Sequence, residues 1–175
     1  NVVRRGGTII LAAAITEGIG SEEFQRLLAE TATPDDFMAR ITGPGFFTVD
    51  QWMMQHLCQV RRKAEVIVVS HGLAAQPPTN LLATLAPTVE DALVDVIRRL
   101  EGAYSTVVMT KDRVVAFRDP AGVRPLSLGL LDDQYCVASE TCAFDIIGAR
   151  FLRDVQPGEI VSLTPSGVQT RMAVE

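Results

Sequence analysis

The sequence predicts an α/β segment followed by an α+β segment, with a helix joining them. Three observations carry this. Residues 8–15 form a continuous apolar run and 65–70 a run rich in β-branched residues, separated by helix-like stretches, the pattern of buried parallel strands. Residues 88–102 form one amphipathic stretch with helical spacing. Beyond it, short strand-like runs alternate with turn residues, which predicts antiparallel pairing. The expected boundaries are 1–87 for the α/β segment, 88–102 for the joining helix and 103–175 for the antiparallel β segment.

In the first run, TIILAAAI at 8–15, hydrophobicity is continuous, so a strand covered on both faces is expected. Ser21 reads as the N-cap of a helix with Glu22 and Glu23 in its first turn and Phe24, Leu27 and Leu28 on one face. Strand, glycine loop and helix make the shape of a phosphate cradle. Gly18-x-Gly20, however, has neither the third glycine of a dinucleotide fingerprint nor the Lys-Ser/Thr of a P-loop, so turn chemistry is expected there. Thr33 caps a second helix that Pro34 begins and Gly43-Pro44-Gly45 breaks. Asp50 is expected to cap a third, from Gln51 to about Ala64, closed by Arg61, Arg62 and Lys63, whose charge offsets the helix dipole. The β-branched run 65–70 is the next buried strand. His71 and Gly72 end it at the carboxyl edge, where open α/β sheets place ligands.

Thr88 caps the joining helix, Glu90 and Asp91 favour its N-terminus, Leu93, Val94, Val96, Ile97 and Leu100 make a buried stripe, and Gly102 stops it. Two hairpins are then expected, one turning at Lys111-Asp112 and one at Asp132-Asp133. Residues 141–147 read as a helix ended by Gly148, with Ser139-Glu140 as an ordinary helix start. Two last strands enclose Pro165-Ser166-Gly167.

Composition narrows the partners. A net charge of −5 and the lack of a basic stripe beyond 61–63 argue against nucleic acid, and no run nears the ~20 apolar residues of a membrane helix. Cys58, Cys136 and Cys142 lack metal or redox spacing and read as reduced thiols, the first two as buried small hydrophobes in a cytoplasmic protein. No metal or cofactor is expected.

Few side chains suggest chemistry. His71 is either a ligand-binding or proton-transferring imidazole at the crevice or a loop-end histidine bonded to backbone. His56, one turn after Trp52, reads as a surface residue. Arg118-Asp119-Pro120-Ala121-Gly122-Val123-Arg124-Pro125 is a tight reversal: the prolines fix φ, Gly122 permits φ > 0, and Asp119 is expected to form a structural ion-pair network with Arg118 and Arg124.

Two resemblances follow. Leu100-Glu101-Gly102-Ala103-Tyr104-Ser105, the 118–129 turn, VASETCAFDIIG at 137–148 and Arg153-Asp154-Val155-Gln156-Pro157-Gly158-Glu159 occur in order. Over residues ~88–175 the chain resembles the second half of the N-terminal-nucleophile (Ntn) glutamine amidotransferase domain of amidophosphoribosyltransferase. That family's nucleophilic cysteine and glutamine-binding motifs belong to the first half of its domain, and this chain opens at Asn1. Val3 to Ile10, Gly18 to Phe24, Asp50-Gln51-Trp52-Met53-Met54-Gln55 and Val66 to Leu73 together resemble the C-terminal domain of the nickel-dependent lactate racemase family, over residues ~1–100. That resemblance implies a position near a domain cleft for Gln51 and Trp52, while the cofactor-bearing lysine and catalytic histidines belong to another domain. The implied architecture is a Rossmann-like parallel-sheet fragment joined through a helix to an antiparallel half of an Ntn-hydrolase-type sandwich.

The expected function is that of a non-catalytic chimera of two enzyme fragments, structural and self-associating as a homo-oligomer, with strands exchanged between copies. The alternative is an amidotransferase-related or racemase-related enzyme fragment that binds a small molecule through Gln51, Trp52 and His71.

Overall fold

The computed structural model describes residues 3–174. It divides into two units, Asn1–Ala92 and Leu93–Glu175.

In the first unit, β1 (Thr8–Ala12), β2 (Glu65–Val69) and β3 (Thr84–Ala86) form a parallel sheet in the order β1-β2-β3, paired from Thr8↔Glu65 to Ala12↔Val69 and from Ile67↔Thr84 to Val69↔Ala86. Central β2 buries Val66, Ile67 and Val68. The first strand differs from the expectation of full burial: it is an edge, Leu11 is 48% exposed, and pairing stops at Ala12. A sheet of three strands leaves its outer strand one neighbour, so an apolar run there cannot be covered on every side.

Helices α1 (Glu22–Glu30), α2 (Pro34–Thr42) and α3 (Gln51–Arg61) share a core of Phe24, Leu27, Leu28, Phe37, Met54 and Cys58. Each large side chain buried there contributes roughly 1.5–3 kcal/mol. Ser21 and Thr33 cap as expected, accepting from the amides of Phe24 (3.1 Å) and Asp36 (3.2 Å). Asp50 does not: it takes a left-handed φ of 62° without a side-chain capping bond, and its Oδ2 accepts from the Ser21 hydroxyl at 2.5 Å. A short helix α4 (His71–Ala75), capped by Ser70, and strand β3 were not anticipated; at five and three residues they are too short to show a period.

Helix α5 (Val89–Ile97) is capped by Thr88, whose Oγ1 accepts from the Asp91 amide at 3.1 Å. The division between units falls within it. It is shorter than the 88–102 stretch, because its buried positions, Leu93, Val94 and Ile97, end before the 43%-exposed Leu100.

The second unit holds two antiparallel sheets. One has the order β10-β9-β5-β4, from β4 (Ser105–Met109), β5 (Val114–Arg118), β9 (Glu159–Thr164) and β10 (Gly167–Met172). The other is β7-β6-β8, from β6 (Ser127–Leu131), β7 (Gln134–Ala138) and β8 (Arg150–Asp154). Ala116, Val161 and Leu163 of the first sheet pack with Leu126, Leu128 and Val155 in one core. Both hairpins turn where the sequence places them. The mixed sequence RFLRD of β8 gave no alternating signal, and a bulge between Leu128 and Gly129 accommodates it.

Helix α6 (Cys142–Ile147) lies where the sequence places it and ends at Gly148 with φ 75°, but its cap position is Thr141 rather than Ser139 and makes no side-chain capping bond. Its Phe144 ring fills the space a side chain at Gly129 would take. Among the described residues the chain is therefore a mixture of helices with one parallel and two antiparallel sheets. Among the described residues, no helix is long and apolar enough to cross a membrane.

Candidate functional site

In the first unit, the carboxyl ends of β1 and β2 are tied together. The Ser70 hydroxyl donates to Ala14 O at 2.8 Å and accepts from the Leu73 amide at 3.3 Å, so one side chain closes β1 and starts α4. The Gly72 amide donates to the same Ala14 carbonyl at 3.1 Å. Beyond this junction lies a cavity of about 450 Å³ between the loop after β1, helix α1 and the loop after α4. Its polar lining is Thr16, Gln25, Gln76, Thr79 and Asn80, and none of its lining residues is ionisable. Asn80 is committed to the fold: its amide donates to Leu28 O (3.0 Å) and Thr31 O (2.6 Å) at the end of α1. The Gln25 amide also donates to Gly20 O at 3.1 Å, and the remaining hydroxyls and amides suit hydrogen bonding to a neutral ligand rather than proton transfer.

The residues singled out from sequence lie elsewhere. His71, at the start of α4, is exposed, and the cavity is lined by its neighbour Gly72. Gln51 accepts from the Thr48 amide at 2.9 Å, closing the turn before α3. Trp52 is 60% exposed, with an edge contact to His56 at 6.0 Å between ring centroids. None of the three lines the cavity. Gln25 and Gln76, which do, went unnoticed because an isolated glutamine carries no motif.

In the second unit, the 118–125 reversal is built from side chain to backbone. Arg118 donates to Arg124 O (2.7 Å), Val155 O (2.8 Å) and Gly122 O (2.7 Å). The buried Asp119 carboxylate accepts from the amides of Val123 (3.0 Å) and Arg124 (3.1 Å). The expected direct ion pair is replaced by these backbone contacts: a carboxylate inside the turn sits among converging amides, while the guanidinium reaches outward to carbonyls. Burial works to raise the Asp119 pKa, but amide hydrogen bonds from Val123, Arg124 and Tyr104, with the charge of Arg118, outweigh it and hold the carboxyl below its usual range. Burial first, then the Asp119 charge, pushes the Tyr104 phenol up. Gly122, at φ 64°, packs so closely that an added Cβ would meet Pro157 Cγ at 2.7 Å. The cluster holds a turn; its hydrogen-bonding capacity is spent on the backbone.

Burial raises the thiol pKa values of Cys58, with help from the charge of Asp35, and of Cys136, which keeps both protonated. Among the described residues, no group of three or more His, Cys, Asp or Glu is placed to hold a metal ion.

Comparison with known proteins gives two relationships. The family model for the lactate racemase C-terminal domain matches residues 1–117, more than half of the chain. Over 83 residues, 47% of its length, the chain is 43% identical to the amidophosphoribosyltransferase of Bacillus subtilis strain 168, covering 17% of that protein. Over 82 residues, 46% of its length, it is 48% identical to the amidophosphoribosyltransferase of Rhizobium etli, covering 16% of it. The chain thus spans about a sixth of the length of these curated relatives. A solved structure of the B. subtilis glutamine phosphoribosylpyrophosphate amidotransferase, complexed with ADP and GMP, aligns over 80% of this chain and 26% of its own, at 28% identity and a TM-score of 0.48. With the match running unbroken from the parallel sheet into β5, the chain belongs to the lactate racemase C-terminal domain family, and about half of its length is also similar to amidophosphoribosyltransferase.

Proposed function

We propose that the chain is a chimera of two enzyme-derived parts that serves a structural, self-associating role without turnover of its own. In this reading the parallel unit is a Rossmann-like fragment and the antiparallel unit is half of an Ntn-hydrolase-type sandwich, in a cytoplasmic protein. The observation that supports self-association is the overhang of β4. Val107 and Met109 lie opposite Ala116 and Val114, and so on the same face of the sheet as the sandwich core, yet they are 52% and 80% exposed. Neither belongs to the core that Ala116, Val161 and Leu163 share with Leu126, Leu128 and Val155. A strand from a second copy, added to the smaller sheet, would cover them and leave both copies paired. Light scattering on the purified chain tests this: a stable oligomer is expected, shifted toward monomer in Met109→Lys. A monomer at all accessible concentrations would sink it.

The cavity at the carboxyl end of the parallel strands favours a second reading, a small-molecule binding module derived from the racemase or the amidotransferase. Thermal stabilisation by glutamine or lactate, with no product formed in glutaminase and lactate-racemisation assays, separates the two. Turnover that follows the protein peak and is lost in His71→Ala would replace the structural reading with an enzyme.

A further inference from the structure

We propose that the amino edge of the parallel sheet, in residues 1–92, is a binding site for a small polyvalent oxyanion of the diphosphate class. Five of the seven Lys and Arg residues of this unit fall in two short tracts, 4–5 and 61–63, far apart in sequence. Parallel pairing brings the tracts together. β1 and β2 start side by side at Thr8↔Glu65, the Gly6 amide donates to Lys63 O at 2.8 Å, and the Glu65 amide donates to Gly7 O at 2.9 Å. A unit with more acidic than basic residues thus concentrates its positive charge at one edge.

The edge is shallow and open to solvent. Two adjoining hollows, of about 380 and 470 Å³, share Arg5, Arg62 and Lys63, and Arg61 joins the lining of the second. Cations spread across two adjoining hollows suit two linked tetrahedral groups better than one. Arginine forks match phosphate oxygens with paired hydrogen bonds. The Arg61 Nε is buried without a hydrogen-bond partner, while its Nη1 makes only a 3.4 Å contact to Ala64 O. Arg62 gives Nε to Asp35 at 2.8 Å, which leaves its two Nη groups for an anion. Three features oppose an anion: the Asp35 carboxylate is paired with Arg62, Glu65 lines the second hollow, and the carboxyl end of α3 carries about half a negative charge. Four cations around the hollows still exceed the two carboxylates and the helix end. The sequence alone assigned the 61–63 triplet to the helix dipole; the arrival of Arg5 beside it is what the fold adds.

The test is calorimetric titration of the full chain with inorganic pyrophosphate at fixed ionic strength, beside orthophosphate and sulfate. Saturable binding of one pyrophosphate per chain is expected, tighter than either single anion. Arg5→Ala and Arg62→Ala should each weaken it at least about tenfold, the scale of one lost charge-assisted contact. Arg26→Ala, on the exposed side of α1, should leave it unchanged. Arg5 is exposed, so its replacement should keep the wild-type melting temperature without anion and separate lost binding from lost folding. Absence of saturable heat, equal affinity for orthophosphate or sulfate, or an equal loss in Arg26→Ala would overturn the proposal.

Discussion

Gly72 sits against the carbonyl of Ile15 so closely that a Cβ on it would lie 2.0 Å from the oxygen and 2.6 Å from the carbon. Both atoms are backbone and cannot rotate away. The approach lets the Gly72 amide reach Ala14 O and locks the end of β1 to the start of α4.

Gly72→Ala should therefore cost at least about 3 kcal/mol, the upper part of the usual overpacking range, because the chain itself must shift. Urea denaturation checks this. A loss below about 1 kcal/mol, the cost of fitting an extra methyl by side-chain adjustment, would mean that the two strand ends are not tied as described.

Asp119 should make the stability of the second unit depend on acid. Its folded pKa lies below the unfolded value, so its contribution is complete above the ordinary carboxyl range and is lost as pH falls through the lower folded value. Asp119→Asn should lower the melting temperature at neutral pH and flatten the acid limb of the stability profile. Parallel profiles for the two proteins would exclude this role.

Phe144 anchors α6 on the β7-β6-β8 sheet through the gap at Gly129, where an added Cβ would meet the ring at 2.8 to 3.0 Å. Phe144→Ala should cost about 3–5 kcal/mol, as emptied aromatic sites do. Gly129→Ala should cost about 1–3 kcal/mol by overpacking. The double variant should lose less than the two single losses added together, since each change removes the other's partner. Strict additivity would show that the ring does not rest on that glycine.

Glu159 is buried and receives Arg153 through both Nη atoms (2.9 and 2.8 Å) and the Gln156 amide at 2.7 Å. Arg153→Ala leaves that carboxylate short of its charged partner. The guanidinium is 38% exposed, so water screens part of the pair and the expected cost is about 1–3 kcal/mol. Glu159→Gln in the Arg153→Ala background should recover part of it, measured by chemical denaturation. A further loss would show that the carboxylate serves another partner.

The sequence carried most of the architecture. Ser21 and Thr33 announced helix starts because a capping hydroxyl is a local signal, and the Lys111-Asp112 and Asp132-Asp133 hairpins were legible for the same reason. Features that depend on distant chain were not legible. Leu11 sits in a run that reads as buried, but exposure depends on how many strands the sheet has. Asp50 has the chemistry of a cap and is drawn instead to a hydroxyl 29 residues away. Gln25 and Gln76 meet around the cavity only through the fold, and Arg5 reaches the 61–63 tract only through strand pairing.

The bond from Arg118 to Val155 O joins positions 37 residues apart, while its other two bonds stay within six residues. The reversal can therefore complete its contacts only after a long loop has closed. Its arginine links local chain reversal to the meeting of β5 with the segment after β8, so the search for that encounter enters the folding time of the second unit.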